Sequence, residues 1–167
     1  MSSPRVKVCG ITRSEDGLLA LSLGATYLGF IFYPESPRAI DLVDYRALKE
    51  SLPDSFQVAV DVRPSIDKVK QQVEAGFDYF QVHFSEIHDV AYLSELSQLV
   101  GRDRLWLAPK LPPEALFPES LFEYAGTFLI DTYQKDGFGG SGKTGDWTGF
   151  HQLQSDYPEI IWILAGG

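Results

Sequence analysis

Short runs rich in Val, Ile, Phe and Tyr recur along the whole chain, and most are separated by stretches with the three-to-four-residue apolar spacing of amphipathic helices. Strands are expected near Arg5 to Cys9, Thr26 to Phe32, Phe56 to Val62, Asp78 to His83, Arg104 to Ala108, Thr127 to Asp131 and Ile160 to Ala165. Their centres lie about 26 residues apart, the length of one strand–helix unit with short loops. Most are unbroken apolar runs, such as Tyr27-Leu28-Gly29-Phe30-Ile31-Phe32. That pattern belongs to strands buried on both faces of a parallel sheet.

The intervening helices have readable ends. Ser14 is placed to cap a first helix, with Glu15 and Asp16 favourable in its first turn and Gly24 at its end. Leu42 to Leu52, Ser65 to Ala75 and His88 to Val100 carry the same spacing, with Gly76 and Gly101 as stops, and another helix begins near Trp147. After Ala108 the residues Pro109, Pro112, Pro113 and Pro118 argue against a long regular helix.

The alternation implies an α/β fold of the (β/α)8 TIM-barrel type, of which only about seven strands can be counted. Eight such units would need roughly 208 residues, and this chain has 167. Residues 1–167 are therefore expected to form a single (β/α) barrel domain lacking the last helix–strand–helix unit, ending at Leu164-Ala165-Gly166-Gly167. Such a barrel leaves two strand edges unpaired, which favours a truncated gene product or fragment over an intact seven-stranded protein.

Charge and composition exclude several classes of function. The net charge is −9 and the 14 basic residues form no stripe, so no nucleic-acid partner is expected. The single cysteine, Cys9, cannot make an intrachain disulfide, which fits a reducing compartment. The N-terminus lacks the apolar centre of a signal peptide, and no apolar run approaches the roughly 20 residues that span a bilayer. A cytoplasmic protein with no membrane partner is expected.

In a parallel barrel the chemistry sits at the C-terminal strand ends and in the loops that follow them. Cys9 ends the first strand in Lys7-Val8-Cys9-Gly10-Ile11-Thr12. A thiol, whose free pKa is about 8.5, can serve as a base where its surroundings favour thiolate, though free cysteines are more often buried and inert. Asp131 ends the sixth strand, where partial burial suits a general acid, with a turn-capping aspartate as the competing reading.

The segment Gly137 to Gly145 holds five glycines in nine residues, and only glycine lets backbone N–H groups wrap an anion freely. It is read as a phosphate cradle, with Gly166 and Gly167 as a second set of donors. Gly137 to Thr144 also satisfies the pattern G-x-x-x-x-G-K-[ST]. The nucleotide-binding reading is set aside because the segment falls late in a barrel pattern, without the accompanying acidic strand. Arg38, in a proline-framed loop after the second strand, could grip a carboxylate bidentately or simply be solvated. His83, Glu86 and His88 match no metal-site spacing, so no metal is expected.

Taken together, these motifs resemble phosphoribosylanthranilate isomerase of tryptophan biosynthesis over essentially the whole chain. The resemblance rests on Lys7 to Thr12, Gly29 to Arg38, Phe128 to Thr132, Gly139 to Thr144 with Asp146-Trp147, and Leu164 to Gly167. It implies an Amadori rearrangement of N-(5-phosphoribosyl)anthranilate, without cofactor or metal. Asp131 would be the general acid at the ribose ring oxygen and Cys9 the base at C2′. Arg38 would hold the anthranilate carboxylate, and the backbone of Gly140, Ser141, Gly142, Gly166 and Gly167 the phosphate. The implied partner is a small phosphorylated substrate, and the implied assembly a monomer or homodimer. Val60-Asp61-Val62-Arg63 stands where the family has Phe-Val-Asn, and His83-Phe84 where it has His-Gly. Phe84 is expected to crowd its loop and Arg63 to add charge near the rim.

Two other readings remain open. One is a sugar-phosphate-binding barrel fragment without catalysis. The other is a related sugar-phosphate isomerase that uses two aspartates, against which Cys9 in place of the first aspartate argues.

Overall fold

The structure is a computed structural model that describes residues 4–85, 87–112, 115–132 and 146–166. The chain divides into two compact units, Met1–Phe80 and Gln81–Gly167.

The first unit runs β1 (Lys7–Cys9), α1 (Ser14–Ser22), β2 (Tyr27–Ile31), α2 (Leu42–Glu50), β3 (Phe56–Val62) and α3 (Ile66–Glu74). All its strand pairs are parallel, Lys7 facing Tyr27 and Cys9 facing Gly29 across β1 and β2, and Ile31 facing Val60 across β2 and β3. Parallel neighbours need crossover connections, and the helical spacing between the runs supplies them.

Helix ends follow side-chain oxygens that can accept backbone N–H groups. Asp41 caps α2 by accepting from Val43 and Asp44, both at 2.8 Å, and Ser65 caps α3 by accepting from Lys68 at 3.3 Å. At α1 the sequence expectation is off by one residue. Ser14 is the first helical residue, and Arg13 occupies the cap position without a side-chain cap bond. Arg13 pairs with Asp16 instead, at 3.0 and 2.9 Å, so the acidic first turn is satisfied by an ion pair.

An aromatic cluster fills the core of this unit. Tyr45 and Phe77 stack at 4.0 Å, while Phe30 meets Tyr45 edge-on at 5.0 Å and Phe32 meets Phe77 at 5.5 Å. Tyr45 is fully buried, and its hydroxyl donates to Gln57 Oε1. Burial, followed by the charge of Asp78, pushes the Tyr45 phenol upward, which keeps it a neutral donor. Tyr45→Phe leaves the buried Gln57 oxygen without that donor. We expect it to lower the unfolding free energy by about 1–3 kcal/mol, read as a lower urea midpoint at unchanged m-value.

Strand β4 (Tyr79–Phe84) opens in the first unit and continues into the second. The second unit then carries α4 (Val90–Val100), β5 (Leu105–Pro109), a 3₁₀ turn at Glu119–Glu123, β6 (Thr127–Ile130), α5 (Trp147–Asp156) and β7 (Ile161–Leu164). Helix α4 starts two residues later than His88, because Asp89 supplies the cap by accepting from Tyr92 at 3.3 Å. Where prolines crowd the sequence after β5, the 3₁₀ turn is the helical segment, in keeping with the loss of donors at proline. Strands β5, β6 and β7 pair in parallel. Phe122 and Phe128 pack at 5.4 Å, and Phe128 and Trp162 at 5.8 Å, over a core that includes Leu93, Leu96, Leu105 and Leu107.

Candidate active site

In the first unit, Cys9 lies half-buried at the C-terminal end of β1 beside Gly29 of β2. A Cβ at Gly29 would stand 2.9 Å from the Cys9 sulfur and 3.2 Å from its Cα. The missing side chain therefore makes room for the thiol. Gly29 also fixes the turn beyond Cys9, because its carbonyl accepts from the N–H groups of Gly10 at 2.9 Å and Ile11 at 3.0 Å. A glycine inside a strand signals close approach of another group, here the Cys9 side chain.

Arg38 reaches the same place from the loop after β2. Its Nη1 donates to the Cys9 carbonyl at 2.9 Å, and its side chain crosses Gly10, where a Cβ would come within 2.8–2.9 Å of the guanidinium and Cδ. The residue is exposed yet anchored, unlike the freely solvated arginine of the competing reading. The loop holds its own shape. Ser36 N–H donates to Tyr33 O and Ala39 N–H to Ser36 O, both at 3.0 Å, and Arg38 N–H reaches Ser36 Oγ at 3.2 Å.

Gly10 has φ +84°, a region that side chains disfavour. Gly10→Ala adds a Cβ both to that backbone and to the path of Arg38. We expect KM for the substrate to rise about tenfold, measured by steady-state kinetics on folded protein.

In the second unit, Asp131 is half-buried immediately after β6, and its Oδ1 accepts from Thr132 N–H at 2.8 Å. The local bond is the turn-type interaction weighed against the acid reading, and it fixes one carboxylate oxygen. Gly166, at φ +91°, lies against this corner: a Cβ there would collide with Thr132 Oγ1 and stand 3.1 Å from Asp131 Oδ1. Ala165 N–H donates to Ile130 O at 2.9 Å. The ends of β6 and β7 thus bring together Asp131, Thr132 and Gly166, three of the residues on which the resemblance rests.

Gly140, Ser141, Gly142, Gly167 and Glu86 lie outside the described residues. His83 pairs with Gln81 at 2.6 Å between ring and amide nitrogens. Among the described residues no three His, Cys, Asp or Glu side chains gather as a metal-binding group. Phe84 is 1% exposed. Its side chain is buried at the end of β4. Arg63 is exposed, with φ 40°.

The family model for N-(5′-phosphoribosyl)anthranilate (PRA) isomerase matches residues 6–167. The chain belongs to this family. It is 36% identical over 167 residues to the N-(5′-phosphoribosyl)anthranilate isomerase of Nostoc punctiforme, covering 98% of this chain and 77% of that protein. The Aquifex aeolicus isomerase is 35% identical over 166 residues, covering 98% and 76%. The crystal structure of phosphoribosyl anthranilate isomerase from Thermus thermophilus superposes with a TM-score of 0.76 at 32% identity, covering 98% of this chain and 77% of that one. The fold is of the (β/α)8 TIM-barrel type, with seven strands among the described residues, and the protein is a member of an isomerase family of tryptophan biosynthesis.

Proposed function

We propose that this chain converts N-(5-phosphoribosyl)anthranilate into 1-(2-carboxyphenylamino)-1-deoxyribulose 5-phosphate by an Amadori rearrangement. Family membership over residues 6–167 supports the reaction, and the observation that carries its assignment to residues is the joining of Cys9 and Arg38. The Arg38 guanidinium bonds the Cys9 carbonyl at 2.9 Å, so a carboxylate gripped by Arg38 brings its substrate to the strand end that bears the thiol.

In this reading Asp131 donates its proton to the ribose ring oxygen. The C1′–O bond breaks, and the nitrogen lone pair forms the iminium. Thiolate Cys9 then removes the proton from C2′, which the iminium has made acidic, and the electron pair moves to give the enolamine. Protonation at C1′ and loss of the C2′ hydroxyl proton yield the amino ketone. Carbon C1′ is reduced as C2′ is oxidised within one molecule, so the redox change balances without an external partner. A proton is given at one atom and taken at its neighbour, a division of labour that suits two groups of different acidity.

Arg38 holds the anthranilate carboxylate through its planar fork of donors. Backbone N–H groups of Gly140, Ser141, Gly142, Gly166 and Gly167 hold the phosphate, supported by the left-handed backbone of Gly166. The ligand is a small phosphorylated molecule, the chain works as a monomer or homodimer, and its place is the cytoplasm. Among the described residues no helix is long and apolar enough to cross a membrane.

The test is the loss of anthranilate fluorescence when freshly made phosphoribosylanthranilate meets the purified chain. Saturable turnover is expected. A folded chain that binds phosphate esters by calorimetry yet never consumes the substrate would replace this reading with that of a non-catalytic sugar-phosphate-binding barrel fragment.

A further inference from the structure

Strand β3 contains a buried charge that the reaction does not use. Asp61 is 3% exposed, and its carboxylate meets Lys68 Nζ of α3 at 2.6 Å. Gln72 Nε2 approaches that same oxygen, Oδ2, at 3.4 Å, and the other, Oδ1, accepts from Val62 N–H at 2.9 Å. Lys68 Nζ also donates to the carbonyl of Phe32 at 2.7 Å. Phe32 is the first residue beyond β2 and the root of the loop that carries Arg38.

The arrangement alters the sheet where the loop begins. Phe32 N–H donates to Val60 O at 2.8 Å, as in a regular parallel ladder. In such a ladder the Phe32 carbonyl would next accept from Val62 N–H, two residues on. Asp61 takes that donor, and the Lys68 ammonium serves the carbonyl instead. Ladder pairing thus ends at Phe32, and a charged donor fixes the chain's point of departure. The far root is closed by Ile40 N–H to Ile31 O at 2.9 Å.

We propose that Lys68, held by Asp61, is a positioning residue for substrate binding: it fixes the root of the Tyr33–Ile40 loop and so sets the Arg38 guanidinium against the Cys9 carbonyl. The proposal rests on the reading of Arg38 as the carboxylate-binding residue. A loop root displaced by a fraction of an ångström moves a guanidinium six residues along by more, and misplacement of about 1 Å costs on the order of a hundredfold in a well-oriented site. A pair that served stability alone would lower the melting temperature and leave the kinetic constants of the folded fraction unchanged.

The experiment is a double-mutant cycle between positions 68 and 38. Because Lys68→Met strands the buried Asp61 carboxylate, the paired variant Asp61→Asn with Lys68→Met is made beside it; the asparagine oxygen still accepts from Val62. In the paired variant KM is expected to rise about tenfold with kcat within about twofold, and Lys68→Arg is expected to recover most of the loss. On an Arg38→Ala background the same pair of changes should alter KM by less than about twofold, since no guanidinium remains to be placed. Equal effects on both backgrounds, or a folded paired variant with wild-type KM, overturn the proposal.

Cys9 is the only cysteine, so the cycle is also read on its alkylation rate by iodoacetamide, which needs no turnover. Changing positions 61 and 68 is expected to shift that rate in the same direction as Arg38→Ala, with no further shift in the combined variant. Independent shifts overturn the positioning role. A chain that fails to turn over substrate yet gives a coupled alkylation cycle would overturn the isomerase reading alone.

Discussion

Cys9→Ala is expected to lower kcat by about 10²- to 10⁴-fold, the usual contribution of a positioned general base, while the melting temperature stays within about 2 °C of wild type. The cost falls on chemistry because the thiol is half-buried rather than part of the tight core. Its space is set by Gly29, whose added Cβ would stand 2.9 Å from the sulfur. Cys9→Ser separates shape from basicity. The hydroxyl fits the same space but yields far less conjugate base near neutrality, so a loss close to that of alanine is expected. Steady-state kinetics together with thermal unfolding provide the readout. Wild-type turnover in both folded variants would remove Cys9 from the mechanism and leave its place at the strand end without a catalytic role.

Asp131→Asn is expected to cost a comparable factor, about 10²- to 10⁴-fold in kcat, with the fold intact. The asparagine oxygen can still accept from Thr132 N–H, the 2.8 Å bond that shapes this corner, but the amide has no acidic proton to give. A discriminating measurement is the split between kcat and KM, since loss of the acid falls on kcat while KM for the substrate stays within about twofold. Wild-type kcat in the folded variant would reduce Asp131 to the turn-capping role.

The two substitutions test groups in different compact units, Met1–Phe80 and Gln81–Gly167. Each unit, taken by itself, shows how much local sequence can dictate. The positions of Cys9 and Asp131 at strand ends and of Arg38 in the loop after β2 are legible because strand ends and proline-framed loops are recognisable from apolar runs and their terminators. Strand order followed from the same reading, since parallel pairing with one crossover per pair leaves few alternatives. Helix starts were less accurate. Ser14 is a favoured cap residue and the helical spacing reaches back to His88, whereas the structure caps α4 with Asp89 and leaves Arg13 to pair with Asp16. Several neighbouring residues could cap each helix, and tertiary geometry chooses among them.

The departures from the family pattern show the same limit. Phe84 stands in place of glycine with its side chain buried. A strand residue can present either face, and the sequence at a strand end does not state which face is taken. Arg63 suggests only added charge near the rim, and Asp61 carries no expectation of its own. Asp61 lies 2.6 Å from Lys68, with Lys68 in turn 2.7 Å from the Phe32 carbonyl.

Sequence alone determined the alternation of strands and helices, the parallel pairing, and the residue types offered at the strand ends, because each depends on local periodicity and on contacts between successive elements. Tertiary structure decided that Arg38 rests on Gly10 and bonds the Cys9 carbonyl, that Gly29 clears space for the thiol, and that Gly166 fits against Asp131 and Thr132. Those relations join residues 20 to 35 positions apart, and no local pattern records which distant backbone atoms a side chain will reach.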